Sequence, residues 1–186
     1  MRAVLGEVRI YLTHGDIARQ PGTDVVVNAA NAELRMGGGV AGALHQAAGP
    51  ALEARCRSLA PIAPGEAVIT EAFRLPNRWV VHALGPVYGR DEPPEELLAR
   101  CYENALALAE GVQARSIAFP AISTGAFGYP MDEAAEVALQ AVADAAGRLE
   151  SIREVFFVLY SALALAAHEK ALKCLIRRME HARWSW

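Results

Sequence analysis

Lysine is almost missing from this chain: Lys170 and Lys173 are the only two. Eighteen basic residues stand against 21 acidic ones, a formal charge of -3. Nothing therefore draws in a nucleic acid duplex at long range, and no nucleic acid partner is expected. Cysteine is also scarce. Cys56, Cys101 and Cys174 are odd in number and far apart, without the close pairing of a zinc or redox motif. They read as reduced thiols, and with no His/Cys spacing of ligand type neither a metal nor a cofactor is expected. Long apolar runs are absent too. Val25–Val27 and Ile117–Ile122 fall far short of the ~20 residues that cross a bilayer, which excludes a membrane span. Met1 leads straight into a strand-like pattern with no apolar leader, so cytoplasmic residence is expected.

What is present is a chain of 186 residues, 53% apolar, enough to bury one core. It has no linker-like segment and no internal repeat, so a single domain over residues 1–186 is expected. Glu7–Thr13 alternates Val8, Ile10 and Leu12 with polar neighbours, and Asp24–Ala29 carries an unbroken valine run. The first pattern suits a half-exposed strand and the second a buried one. Ala67–Glu71, Trp79–Leu84, Ser116–Ile122 and Glu154–Tyr160 are further strand candidates, for about six in all. Between them, apolar residues recur at helical steps in Val40–Ala48, Ala51–Leu59, Leu97–Ala109, Met131–Ala146 and Leu163–Met179. The alternation predicts a three-layer α/β/α sandwich around a mixed, mostly parallel sheet. Antiparallel neighbours are expected at the first strand and between the Ala67 and Trp79 strands.

Ligands of such sheets sit outside the carboxyl ends of the strands. Those ends carry His14-Gly15-Asp16-Ile17, Asn28-Ala29-Ala30-Asn31 followed by Met36-Gly37-Gly38-Gly39-Val40, then Ser123-Thr124-Gly125-Ala126-Phe127-Gly128, and Tyr160. Two glycine loops, each before a helix, can turn successive backbone N–H groups toward an anion without any cationic side chain. A pyrophosphate fits this chemistry. Asp16 can accept from a base amino group, Tyr160 can offer a ring face, and Asn31 can bond a ribose hydroxyl. Taken singly, the same residues read as a turn former, a core aromatic and a turn asparagine. Gly37, Gly39 and Gly42 also match the spacing of a dinucleotide fold, but Ala30–Met36 separates them from their strand and no acid follows at the required distance. An NAD-dependent oxidoreductase is therefore the remote alternative.

Gly15-Asp16-Ile17, Val26-Val27-Asn28-Ala29-Ala30-Asn31, Gly37-Gly38-Gly39-Val40, Val81-His82-Ala83-Leu84-Gly85-Pro86 and Ser116 through Gly125 together resemble the macro domain, in order and over nearly the whole chain. The resemblance implies an ADP-ribose cleft. Asp16 would meet the adenine amino group with the Ile17 backbone beside it, and Tyr160 would stack on the base. Asn31 would hold the distal ribose. The loop of Gly37, Gly38, Gly39, Val40 and Ala41 and the loop of Ser123, Thr124, Gly125, Ala126 and Phe127 would enclose the diphosphate and that ribose. Implied partners are free ADP-ribose, an ADP-ribosylated protein or metabolite and, as in some relatives, poly(ADP-ribose).

Some members of that family only recognise ADP-ribose, while others hydrolyse ADP-ribosyl esters or O-acetyl-ADP-ribose. Ala41 stands where one hydrolase branch has an aspartate that positions water, and a general base of that kind contributes ~10²–10⁴-fold. His45 matches a histidine of that branch and would orient water or the distal ribose; Asn31 would hold water while the ligand's own phosphate assists. Asn31 and His45 are thus the catalytic candidates. His82 reads as structural and His14 is ambiguous. Ser123 lacks the glycine two residues earlier that a nucleophile elbow needs, since Ala121 stands there.

Overall fold

The computed structural model describes residues 1–183; Trp184 and Trp186 lie outside that range. The elements run β1 (Arg2–Leu5), β2 (Val8–His14), β3 (Val25–Ala29), α1 (Gly39–Ala48), α2 (Pro50–Cys56), β4 (Ala67–Glu71), β5 (Trp79–Ala83), α3 (Pro94–Gly111), β6 (Ser116–Phe119), α4 (Met131–Ala146), β7 (Glu154–Leu159) and α5 (Ala162–Arg183). The seven strands form one sheet in the order β1-β2-β7-β6-β3-β5-β4. The five inner strands are mutually parallel, and β1 and β4 close the two edges antiparallel.

The expectation of about six strands is corrected to seven. The additional strand, β1, has four residues and hydrogen bonds on one side only, which gives no readable alternation. It joins β2 through Gly6 and Glu7, with Leu5 paired to Val8 and Gly6 at φ +61. A positive φ there is what a tight hairpin demands, and glycine adopts it without strain. The first expected strand is β2, which has its antiparallel neighbour β1 on one side, as read, and lies parallel to β7 on the other. The β4–β5 pair is antiparallel as read.

The valine run of β3 is explained by its place in the sheet. Val25 and Val27 pack with Ile117, Phe119, Val155 and Phe157 beneath α3, α4 and α5, while Val26 faces the other way with Val80 and Ala118 beneath α1 and α2. A central strand covered on both sides needs apolar residues at every position. Helix boundaries follow local chemistry. Pro94 opens α3, where its missing N–H has no partner to lose. Ser161 Oγ accepts from Ala164 N at 3.1 Å and caps α5. Gly49, at φ +84, breaks α1 from α2, and Pro50 starts the new helix. Among the described residues no helix is long and apolar enough to cross a membrane.

Candidate binding cleft

Because β2, β7, β6, β3 and β5 run parallel, their carboxyl ends share one edge of the sheet. Every loop singled out in the sequence leaves from that edge, and backbone hydrogen bonds join them. Gly15 N donates to Leu159 O at 3.0 Å and Ala30 N to Ala83 O at 2.9 Å; Tyr88 N donates to Phe127 O at 2.9 Å. The His14 Nε2 to Tyr160 O contact is 3.0 Å, so His14 helps to hold the start of the Tyr160 segment.

The first glycine loop leads into α1. Gly38 is its N-cap, no side chain caps the first turn and no acidic residue lies there. Its leading N–H groups are thus left to an anion, with the positive end of the helix dipole behind them. Gly37, Gly38 and Gly39 are exposed, while Ala41 is buried beneath them. Glycine is needed here for close approach. A Cβ on Gly42 would run into the Gly37 carbonyl, and one on Gly37 would lie 3.3 Å from Asn31 Nδ2.

Asn31 closes its own loop: Nδ2 donates to Arg35 O and Oδ1 accepts from Arg35 N, both at 2.9 Å. One N–H and one lone pair of the amide remain for a ligand hydroxyl. Asp16 is the turn former that one reading of the sequence suggested. Oδ1 accepts from Ala18 N at 2.9 Å and fixes the turn, while Oδ2 has only a loose partner, Arg19 Nε at 3.7 Å, whose side chain is almost fully exposed. Such an exposed pair is weak, so Oδ2 stays accessible. Ile17 is buried with Ala18 and Val158, which anchors the loop. Tyr160 is 83% exposed, which discards the core-aromatic reading.

The second loop is built around Ser123. This residue is buried, holds φ at +66, and its Oγ has no hydrogen-bond partner. Gly85 lies directly beneath it, for a Cβ there would overlap Ser123 Oγ. Ser123 O accepts from Tyr129 N at 2.9 Å, and Thr124 Oγ1 donates to Ala121 O at 2.8 Å. These bonds leave Gly125 and Ala126 exposed at the tip and Thr124 and Phe127 half-buried at its flanks. Gly85 was missed as a site residue, although its Leu84-Gly85-Pro86 setting at a strand end was a readable signal.

His45 is placed differently from the expectation. Both of its ring nitrogens are buried without a partner, among Cys56 and His82 between α1, α2 and the sheet. At 2% exposure it is an interior residue of the buried face of α1. Burial lowers its pKa, with Glu53 opposing. His82 is pushed down to about 3 by burial and then by His45. Burial raises Cys56 to about 11, with Arg55 opposing and Glu53 reinforcing the rise. This His/Cys cluster also corrects the sequence reading that none exists: its members come from three separate elements, so no spacing rule reveals it.

A recess of about 590 Å³ at the β4 edge, lined by Ile62, Glu66, Val68, Asn104 and Leu108 among others, shares no residue with these loops.

Comparison with known proteins gives a consistent set. The Macro domain family model matches residues 27–138. The chain is 46% identical over 169 residues to an O-acetyl-ADP-ribose deacetylase of Citrobacter koseri, covering 88% of this chain and 95% of that one. It is likewise 46% identical over 169 residues to a macro domain-containing protein of Streptomyces griseus, at 88% and 94% coverage. Among solved structures, the Oceanobacillus iheyensis macrodomain with ADP superposes with a TM-score of 0.91 at 39% identity, over 96% of this chain and 97% of that one. The Trypanosoma brucei macrodomain in complex with ADP-ribose gives 0.81 at 34% identity, over 88% and 68%.

Proposed function

Since the chain belongs to the macro domain family, we propose that it binds ADP-ribose, free or attached to a protein or metabolite, in the crevice at the carboxyl edge of its sheet. The observation that carries this reading is that two glycine-bearing loops leave from the carboxyl ends of the neighbouring parallel strands β3 and β6, one of them opening an uncapped helix. Backbone amides of Gly38 through Ala41 and of Ser123 through Phe127 hold the diphosphate from two sides. Asn31 takes the distal ribose. Asp16 Oδ2 accepts from the adenine amino group, and Tyr160 covers the base. Neutral donors carry the site, so the net charge of -3 is no obstacle.

Calorimetric titration with ADP-ribose, AMP and NAD tests the reading. ADP-ribose should bind, with AMP weaker for want of the second phosphate and distal ribose. Equal affinity for AMP and ADP-ribose would remove the diphosphate cradle from the account. Gly38→Glu places bulk and like charge in the cradle and should abolish binding. A binding constant that falls steeply with salt would instead indicate extended phosphate contacts, as on poly(ADP-ribose).

A second reading is hydrolysis of O-acetyl-ADP-ribose or of ADP-ribosyl esters, favoured by the similarity to a deacetylase. Water held by the spare Asn31 group adds to the ester carbonyl as its proton passes to a diphosphate oxygen; the tetrahedral adduct then collapses to the free acid, and that proton goes to the departing ribose oxygen, which leaves as a hydroxyl. The first turn of α1 contains no acid, so turnover runs without a protein carboxylate there and is correspondingly slow. No product from a carboxylate-linked substrate at high protein concentration would leave recognition as the whole function.

A further inference from the structure

We propose that His45, Cys56 and His82 form a buried site for one zinc-class divalent cation, with Thr70 at the fourth position and Asn28 orienting His82 from outside. The three donor atoms lie within 4.8 Å of one another and all three residues are buried. Tetrahedral zinc, with Zn–N of about 2.0 Å and Zn–S of about 2.3 Å, sets an N···S edge of roughly 3.5–3.6 Å. Cys56 Sγ and His82 Nε2 are already 3.6 Å apart.

Hydrogen bonding alone accounts poorly for this cluster. Asn28 Nδ2 donates to His82 Nδ1 at 3.1 Å, so the ring proton sits on Nε2 and goes to Thr70 Oγ1 at 3.0 Å; Thr70 passes its own proton to Glu71 O. That chain leaves His45 Nδ1, His45 Nε2 and Asn28 Oδ1 buried and unpaired. Buried polar groups in native interiors are rarely left so. Exchanging the oxygen and nitrogen of the Asn28 amide turns Oδ1 toward a proton on His82 Nδ1 and frees the Nε2 lone pair toward Cys56, the tautomer in which a second-shell group fixes a ligating imidazole. The exchange moves the unpaired end of that amide rather than removing it. The gain is at His45, whose lone pair then has the cation.

Two imidazoles and one thiolate suit zinc or cobalt(II) and discriminate against magnesium and calcium. Glu53, one turn before Cys56 on α2 and felt electrostatically by both His45 and Cys56, offsets the remaining positive charge. The short helix α2, which carries Cys56, is set off from α1 by Gly49-Pro50. A bound ion would pin α1, whose first turn opens the cleft, to β5.

The test is a cobalt(II) titration of the reduced, chelator-treated full chain. One equivalent should raise a thiolate-to-cobalt charge-transfer band that zinc then abolishes, and zinc at about a hundredfold excess over its Kd should raise the melting midpoint by about 5–11 °C. Cys56→Ser should lose the band and Cys174→Ser should keep it, while Asn28→Ala should weaken affinity roughly 10–100-fold. Absence of both band and shift in the unaltered chain, or a band surviving in Cys56→Ser, would overturn the proposal. Should Cys56→Ser fail to fold, X-ray absorption of the unaltered zinc complex decides: one sulfur, two imidazoles and one oxygen are expected, and a different number of sulfur or imidazole ligands refutes the site.

Discussion

Gly85→Ala should damage the cleft from beneath without touching a ligand. The added Cβ would overlap Ser123 Oγ and stand 2.7 Å from Ile122 Cγ2 and 3.3 Å from Ser123 Cβ. Ile122 and Ser123 are both buried, so neither side chain has free space to rotate into. The loop that begins at Ser123 must lift. Overpacking of this kind costs about 1–3 kcal/mol, and the entropy lost by the unfolded chain on replacing glycine returns about 0.4–1 kcal/mol. The net loss spans about 0–2.6 kcal/mol and centres at about 1.3 kcal/mol, roughly 3–5 °C in melting temperature for a chain of this size. On the proposed function the lifted segment would supply one wall of the diphosphate cradle, so ADP-ribose affinity should fall by roughly an order of magnitude, equivalent to about 1.4 kcal/mol. Ser123→Gly removes the overlapping atoms at a position whose φ of +66 suits glycine. Combined with Gly85→Ala, it should restore part of the loss, with a coupling of at least about 0.5 kcal/mol. Thermal denaturation and calorimetry on the four proteins of this cycle measure both quantities. Strict additivity, or full affinity in Gly85→Ala alone, would refute the proposed support.

Tyr160→Ala should cut ADP-ribose affinity by about 1–3 kcal/mol through lost stacking, while its exposure leaves the melting temperature unchanged; reduced affinity only with reduced stability would contradict this. Glu110 is pushed up by burial but more than compensated by the backbone N–H groups of Ile152, Ser151 and Glu150, so its carboxyl titrates below the usual value. That stabilisation is present at neutral pH and lost as the pH falls through the lowered pKa. Glu110→Ala should destabilise by about 2–3 kcal/mol in chemical denaturation, with Ile152 N left buried and unpaired, and should leave ligand affinity intact. His168 is held neutral by burial against the opposing bond to Ala164 O. The unfolded chain takes up a proton below its ordinary value of about 6.5, so stability falls with pH there; His168→Gln should remove up to about 1.4 kcal/mol per pH unit of that slope. Ala41→Asp should raise ester hydrolysis by about 10²–10⁴-fold if a water-positioning carboxylate is what α1 lacks, and an unchanged rate would favour assistance by the ligand alone.

The sequence was most readable where local pattern and tertiary role agree. Ala67–Glu71 and Met131–Ala146 have the bounds expected of them, because turn residues and a full helical stripe mark both ends. β1 was lost among ordinary residues, since one row of hydrogen bonds stabilises it without requiring alternation. The carboxyl-edge loops followed from the fold class once the parallel order was inferred. The burial of His45 was readable from its neighbours: Ala41, Leu44 and Ala48 make the buried stripe of α1, and His45 lies within it. Nothing local could place Cys56 and His82 beside it, because that proximity is made by the packing of α2 and β5.

The opposite edge of the sheet is stitched by its own bonds: Asp24 N to Ser116 Oγ, Arg115 N to Asp24 Oδ2, Arg153 N to Arg115 O, and the Glu110 carboxylate to residues 150–152. None of these involves a cleft loop. Substitutions confined to the carboxyl-edge loops therefore leave this second set of bonds in place, so changes at one rim need not loosen the other.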